Sequence, residues 1–250
     1  MTKNEKNIEE LVVFSGSFKD IPENKIITVP EGIEEIGENA FRDFENLEEI
    51  NLPRSLKKIS ACAFSGCQNL KRVNMHFGIE EILDEAFSSC SSLTSITIPD
   101  SCILVEFNAF ASCFGLESIK LSDNMGLIDE STFEGCRSLK VVDMPTKLVK
   151  IDRRAFKGCT SLQNLILPFG VRSIGFDAFA DCSSLTRIAI PKDLMEIEDF
   201  DIFGGCDSLT EISFGGTKEK WESIMRRRAL TLQKSDLTVV TPKISFMGLE

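Results

Sequence analysis

Seven cysteines, Cys67, Cys90, Cys113, Cys136, Cys159, Cys182 and Cys206, follow one another at 23-residue steps, the last step lengthened to 24. Thiols in such a row could ligate a soft metal, pair as disulfides or act as nucleophiles. Zinc sites need ligands clustered at short spacings, and the chain has no C-x-x-C pair. The total of nine cysteines is odd and fits no disulfide framework. Coils stacked at ~4.8 Å would bring equivalent Cα atoms inside the usual disulfide range of roughly 4.4 to 6.8 Å, so spacing alone leaves pairing between neighbours open. A column of buried free thiols is the simpler reading, because cysteine packs as a small hydrophobe where room is short. A reducing compartment suits such thiols. Neither a metal nor a cofactor is expected.

Other chemistry is sparse. The chain has one histidine and no tyrosine, so the commonest general base is available only at His76. His76 stands where other units carry proline, at an expected turn, and its partner Cys90 belongs to the cysteine column. No G-x-x-x-x-G-K-[ST], G-x-G-x-x-G or H-E-x-x-H motif occurs. The pattern predicts a protein that is not an enzyme, with no catalytic residue.

The elements that would position these residues come from a unit close to P-x-x-L-x-x-I-x-x-x-A-F-x-x-C-x-x-L-x-x-I-x-L. It starts at Pro30, Pro53, His76, Pro99, Ser122, Pro145, Pro168 and Pro191. A period of this length marks stacked units, since a lone unit cannot bury its apolar face. The stretch L-x-x-I-x-L-P alternates apolar and polar residues and closes on proline, which predicts a short strand and a turn. Repeated strands running one way must pair in parallel. A second extended piece is expected at Leu56–Ile59 and its equivalents, and the Ala-Phe-x-x-Cys stretch should turn the coil, with Gly66, Gly135, Gly158 and Gly205 or a serine at a left-handed bend. The expected fold is a repeat solenoid, mainly short parallel β-strands and turns with few helices. Residues 1–29 should form a cap with a half repeat, 30–214 the eight units, and 215–250 a cap of short helix plus strand.

These residues resemble the BspA-like, or Treponema-type, leucine-rich repeats, which combine I-x-x-I, Ala-Phe, a cysteine and L-x-x-I-x-L-P. The likeness runs through eight consecutive copies over residues 30–214, and Gly216–Trp221 resembles the closing segment often found in that family. It implies a leucine-rich solenoid that binds other molecules, and many members are secreted or surface-attached adhesins.

The caps read as Ile26-Ile27-Thr28-Val29 in a strand slot with Leu11–Phe14 over it, and at the far end Trp221, Ile224, Met225 and Arg228 at helical spacing followed by a strand at Leu237–Val240. Trp221 reads as a cap anchor. Arg226, Arg227 and Arg228 would meet the dipole at the helix C-terminus. These caps predict a monomer.

Residues 1–50 carry 13 acidic and 5 basic groups within a total of 39 and 28. That balance repels phosphate backbones and anionic lipid, so no nucleic-acid partner is expected. No apolar run approaches the ~18 to 20 residues of a membrane helix, and Leu11–Phe14 is too short for a signal core. Membrane insertion is not expected, and the polar start favours the cytoplasm, although members of the resembled family are often surface or secreted.

Function therefore falls to the variable slots. Outward strand columns offer Glu49, Arg72, Asn74, Thr97, Lys120, Asp143, Asn164 and Arg187 as binding residues. Pairs Glu48–Lys71, Glu49–Arg72 and Glu117–Lys140 should meet across strands, and Glu34-Glu35, Lys57-Lys58 and Glu80-Glu81 should favour one register. Aromatics outside the repeat pattern, Phe77, Phe107 and Phe114, with Phe169, Phe176 and Phe200 later, are candidate contacts alongside Ile103 and Leu104. The expected function is a non-enzymatic protein–protein interaction module using the outward strand face. The alternative is a cell-surface adhesin for a host protein or glycan.

Overall fold

The computed structural model describes residues 25–198, 202–229 and 243–246. Leu11–Phe14, Phe200 and Leu237–Val240 lie outside the described residues. The chain winds into a solenoid of about eight coils with two columns of parallel strands. The first column is β1 (Ile26–Thr28), β3 (Glu49–Asn51), β5 (Arg72–Asn74), β7 (Ser95–Thr97), β9 (Ser118–Lys120), β11 (Val141–Asp143), β13 (Asn164–Ile166), β15 (Arg187–Ile190) and β17 (Glu211–Phe214). The second is β2 (Glu35–Ile36), β4 (Lys58–Ile59), β6 (Glu81–Ile82), β8 (Leu104–Val105), β10 (Leu127–Ile128), β12 (Lys150–Ile151), β14 (Ser173–Ile174) and β16 (Glu196–Ile197). Both expected strand segments therefore form, and in each the register advances by one repeat, as in Glu49↔Arg72 and Lys58↔Glu81.

Neither column is continuous. The first parts between β5 and β7 and again between β11 and β13, and the second parts between β8 and β10. At both partings of the first column the inward residues are a valine and a methionine, Val73 with Met75 and Val142 with Met144, all only half-buried. Continuous stretches use Ile50 with Leu52 or Ile96 with Ile98, which are buried. Beyond the first parting the Met75 N–H turns back to the Val73 carbonyl at 3.2 Å instead of reaching the next coil.

A third ladder lies in the turn. Around Ala-Phe every second N–H donates to the next coil, as in Cys62 to Asp84 O, Phe64 to Ala86 O and Gly66 to Ser88 O, each at 2.8 Å. The phenylalanine among these three donors is not left-handed, whereas the first and last take left-handed backbone. The slot after Phe by two residues does so with φ from 56° to 76°, whether filled by Asp43, Gly66, Ser89 or Gly135. The slot before Ala also does so, at Asn39, Cys62, Glu85, Asn108, Ser131, Arg154 and Asp177, with φ near 55°. Left-handed conformation costs a non-glycine residue about 1 to 2 kcal/mol, which the inter-coil hydrogen bonds on either side offset.

Inside this turn the aromatic column becomes one stack. Rings of Phe41, Phe64, Phe87, Phe110, Phe133, Phe156, Phe179 and Phe203 lie with neighbouring centroids 5.0 to 5.9 Å apart and planes within 20° of parallel. Cysteine beside it has a reason beyond size. Each column thiol donates to the carbonyl of the phenylalanine one coil back, from Cys67 to Phe41 O at 2.9 Å through Cys206 to Phe179 O at 3.1 Å. The intervening five do the same at 3.1 to 3.3 Å. All nine cysteines are free thiols, so the pairing that spacing left open is absent. Burial pushes the Cys67 and Cys113 thiols up to about 12.

At the closing end, α1 (Lys218–Ala229) is capped by Thr217, whose hydroxyl accepts the Lys220 N–H at 3.3 Å. It lays the buried Trp221 against Phe214, centroids 5.2 Å apart. β18 (Lys243–Phe246) then pairs in parallel with β17. Of Arg226, Arg227 and Arg228, in the last turn of α1, only the backbone is described. No helix among the described residues is long and apolar enough to cross a membrane.

Two outcomes follow from this packing. Phe110→Ala removes a fully buried ring from the middle of the stack, and should cost about 3 to 5 kcal/mol and lower the thermal midpoint by roughly 6 to 20 °C. Titration of the native protein with a thiol-reactive dye should modify Cys62 alone, because the other eight cysteines are buried, with all nine reacting in guanidinium.

Candidate protein-binding surface

The strand pleat sends the middle residue of each first-column strand inward and its two neighbours outward. Glu49, Arg72, Asn74, Thr97, Lys120, Asp143, Asn164 and Arg187 accordingly share one outward face, exposed except for the half-buried Glu49. The two halves of this face differ.

Over the first coils the side chains are tied to one another. Arg72 Nε donates to Glu49 Oε2 at 2.8 Å, and Asn74 Nδ2 lies 3.0 Å from Glu49 Oε1. Asn74 also donates to Asn51 Oδ1 at 2.6 Å, and Asn51 in turn to Thr28 Oγ1 at 3.1 Å. Glu48 sits between Lys25 at 2.6 Å and Lys71 at 2.8 Å, and hydrogen bonds from these two ammonium groups hold its carboxyl down at about 2. Lys140 meets Glu117 at 3.1 Å, so the three cross-strand pairs expected from the sequence all form. Beside the second column, Lys58 reaches Glu35 at 3.7 Å and Lys57 reaches Glu80 at 3.4 Å.

Over the later coils the same face is open apart from the Lys140–Glu117 pair, which flanks β9 and β11. Thr97, Asp143 and Arg187 have no side-chain hydrogen bond or ion pair among the described residues, and Asn164 accepts only from Thr186 Oγ1 at 3.2 Å. Val141 and Ile166 stand between them, exposed by 59% and 77%, and Phe169, exposed by 83%, follows in the turn after β13.

The aromatic candidates do not gather into one cluster. Phe77 occupies the turn slot of Phe169 four coils earlier, which sets the two about 19 Å apart at ~4.8 Å per coil. Phe107 shares its slot with Phe176, after the second column. Phe114 follows Cys113 at the far turn, where the Arg137 guanidinium lies 5.0 Å from its ring centroid. Ile103 is exposed and Leu104 half-buried, with the exposed Val149 and Met195 in the slot of Ile103 on later coils. His76 lies half-buried at its turn, and the Cys90 thiol is committed to Phe64 O at 3.2 Å. The described residues contain no group of three or more His, Cys, Asp or Glu that could hold a metal.

One interaction gave no sequence signal. Glu106, just after β8, shares a hydrogen bond with Asp84 of the preceding coil, and this bond, partial burial and repulsion from Asp84 push its carboxyl up to about 7.

Residues 13–140 and 104–225 match the BspA-type leucine-rich repeat region, in six copies. The chain belongs to the BspA-type leucine-rich repeat family. Among solved structures it is similar to a leucine-rich repeat protein of Treponema pallidum, at 28% identity and TM-score 0.61, covering 65% of this chain and 78% of that one. A leucine-rich cell surface protein of Faecalibacterium prausnitzii shares the fold at 20% identity and TM-score 0.53, with 83% of each chain covered. No curated protein matches the sequence. The leucine-rich solenoid generally serves as a binding scaffold, and the family match indicates no enzyme family.

The Glu106 pair sets a pH dependence. A carboxyl that titrates near 7 folded and near its ordinary ~4.3 unfolded binds more protons in the folded state between those values, so its contribution to stability is lost as pH rises through that window. Glu106→Gln should therefore raise the thermal midpoint at pH 8 by about 1 to 3 °C and leave it unchanged at pH 4, as differential scanning fluorimetry would show.

Proposed function

We propose that this chain is a non-enzymatic protein-binding module whose partner sits on the outward face of the first strand column, over the coils of β9 to β15. The contrast between the two halves of that face carries the reading. Side chains from Thr28 to Asn74 already satisfy one another, so engaging them would mean breaking bonds the fold has made. From Lys120 to Arg187, exposed Val141, Ile166 and Phe169 stand among polar side chains that have little to hold. An apolar centre with a polar, arginine-bearing rim is the ordinary anatomy of a protein interface. Membership in a repeat family whose scaffold generally binds supports the same reading.

The proposal separates two sets of residues that the sequence placed together. Lys120, Asp143, Asn164 and Arg187 belong to the contact rim, whereas Glu49, Arg72 and Asn74 chiefly hold the first coils in register. Affinity capture from the source cell tests this. The triple variant Ile166→Asp, Phe169→Ser, Arg187→Glu should weaken capture at least about 30-fold, the equivalent of a lost hot spot of ~2 kcal/mol or more. A triple change of Glu49→Gln, Arg72→Gln and Asn74→Ser should leave capture within about threefold. Capture unaltered by the first variant would overturn the assignment.

A further inference from the structure

A second surface feature lies away from that face, beside the second strand column. Here Glu130, Arg153, Arg154, Phe176, Glu196 and Glu198 line an open groove of about 570 Å³, within the roughly 300 to 1,000 Å³ usual for small-molecule sites. The coils beside it stack closely at Gly175. Asp152, Gly175 and Glu198 occupy the same slot on successive coils, each donating its N–H to the coil before at 2.8 Å. Gly175 lies so tightly on that coil that a Cβ there would come within 2.5 Å of Arg153 N. Arg153 reaches Glu198 two coils away, Nε to Oε2 at 3.6 Å, whereas the other inter-coil ion pairs among the described residues join adjacent coils. Phe176 is 43% exposed in the wall of this groove. The guanidinium of Arg154 has no hydrogen bond or ion pair among the described residues.

The charges select the ligand. Glu130 comes first along the axis, then Arg153 and Arg154, then Phe176, then Glu196 and Glu198, so two guanidinium groups stand between three carboxylates. A ligand of either net charge meets a like charge within the groove. A neutral ligand rich in hydroxyls meets none: its hydroxyls donate to the carboxylates and accept from the guanidinium groups, while an apolar C–H face rests on the Phe176 ring. We propose that this groove is a saccharide-binding subsite, shaped for one neutral pyranose unit and independent of the strand face.

Saturation-transfer NMR on the full chain tests this with three probes at millimolar concentration: methyl α-mannoside, methyl β-galactoside and N-acetylglucosamine. At least one should receive saturation at its ring protons. Phe176→Ala should abolish the transfer, and Glu198→Gln, which keeps an acceptor and removes its charge, should weaken binding by about threefold to tenfold, roughly the difference between a charge-assisted and a neutral hydrogen bond. Phe114→Ala, which changes another half-exposed ring outside the groove, should leave it intact. Matching thermal midpoints would show that the variants fold. Transfer to none of the probes, or transfer that survives Phe176→Ala, would overturn the proposal.

Discussion

Hydrogen bonding between successive coils fixes a spacing of ~4.8 Å, and every slot of the repeat must then hold a side chain that tolerates its own copy at that distance. Flat rings meet the condition by offset stacking, which an unbroken file of eight phenylalanines does at 5.0 to 5.9 Å. Cysteine meets it differently. Its volume is small, and its S–H supplies a second donor to a phenylalanine carbonyl that already accepts the N–H of the cysteine three residues on, as Phe87 O does from Cys90 at 3.3 Å and from the Cys113 thiol at 3.1 Å. Ring and thiol therefore work together, the ring filling the turn and the thiol tying the backbone that carries it to the next coil.

The same spacing explains what could be read from the sequence. Apolar slots, both strand segments, the parallel register and the cross-strand pairs of Glu48, Glu49 and Glu117 are consequences of period alone, and all of them form. Bends at Gly66 and its equivalents were legible because glycine marks left-handed backbone. The second left-handed slot was not, since Asn39, Glu85, Ser131 and Arg154 share no side-chain chemistry and the requirement lies in the backbone. Nor did the cysteine column announce its hydrogen bonds: burial was evident from the repeat, but the acceptor is a main-chain atom that no sequence pattern names.

Candidate surface residues were legible as positions and illegible as states. Period placed Arg72 and Arg187 on one face, yet only coordinates show the first engaged with Glu49 and the second without a partner among the described residues. Aromatic departures from the pattern looked like one set because they stand close in sequence. A 23-residue coil spreads such neighbours around its circumference, so Phe77, Phe107 and Phe114 point from three different turns. The groove lined by Arg153, Phe176 and Glu198 draws on three successive coils, a relation visible only once the coils are laid on one another.

The partings in the strand columns have a mechanical consequence. The first column parts between β5 and β7 and between β11 and β13, the second between β8 and β10, so no two partings fall at the same step along the axis. The turn ladder crosses every one of those steps, through Phe64 to Ala86 O, Phe110 to Thr132 O and Phe133 to Ala155 O. The joints are staggered like courses of brick: each coil can tilt on its neighbour about a parted column while two other seams hold, and a pull along the axis meets no step that is held by side chains alone.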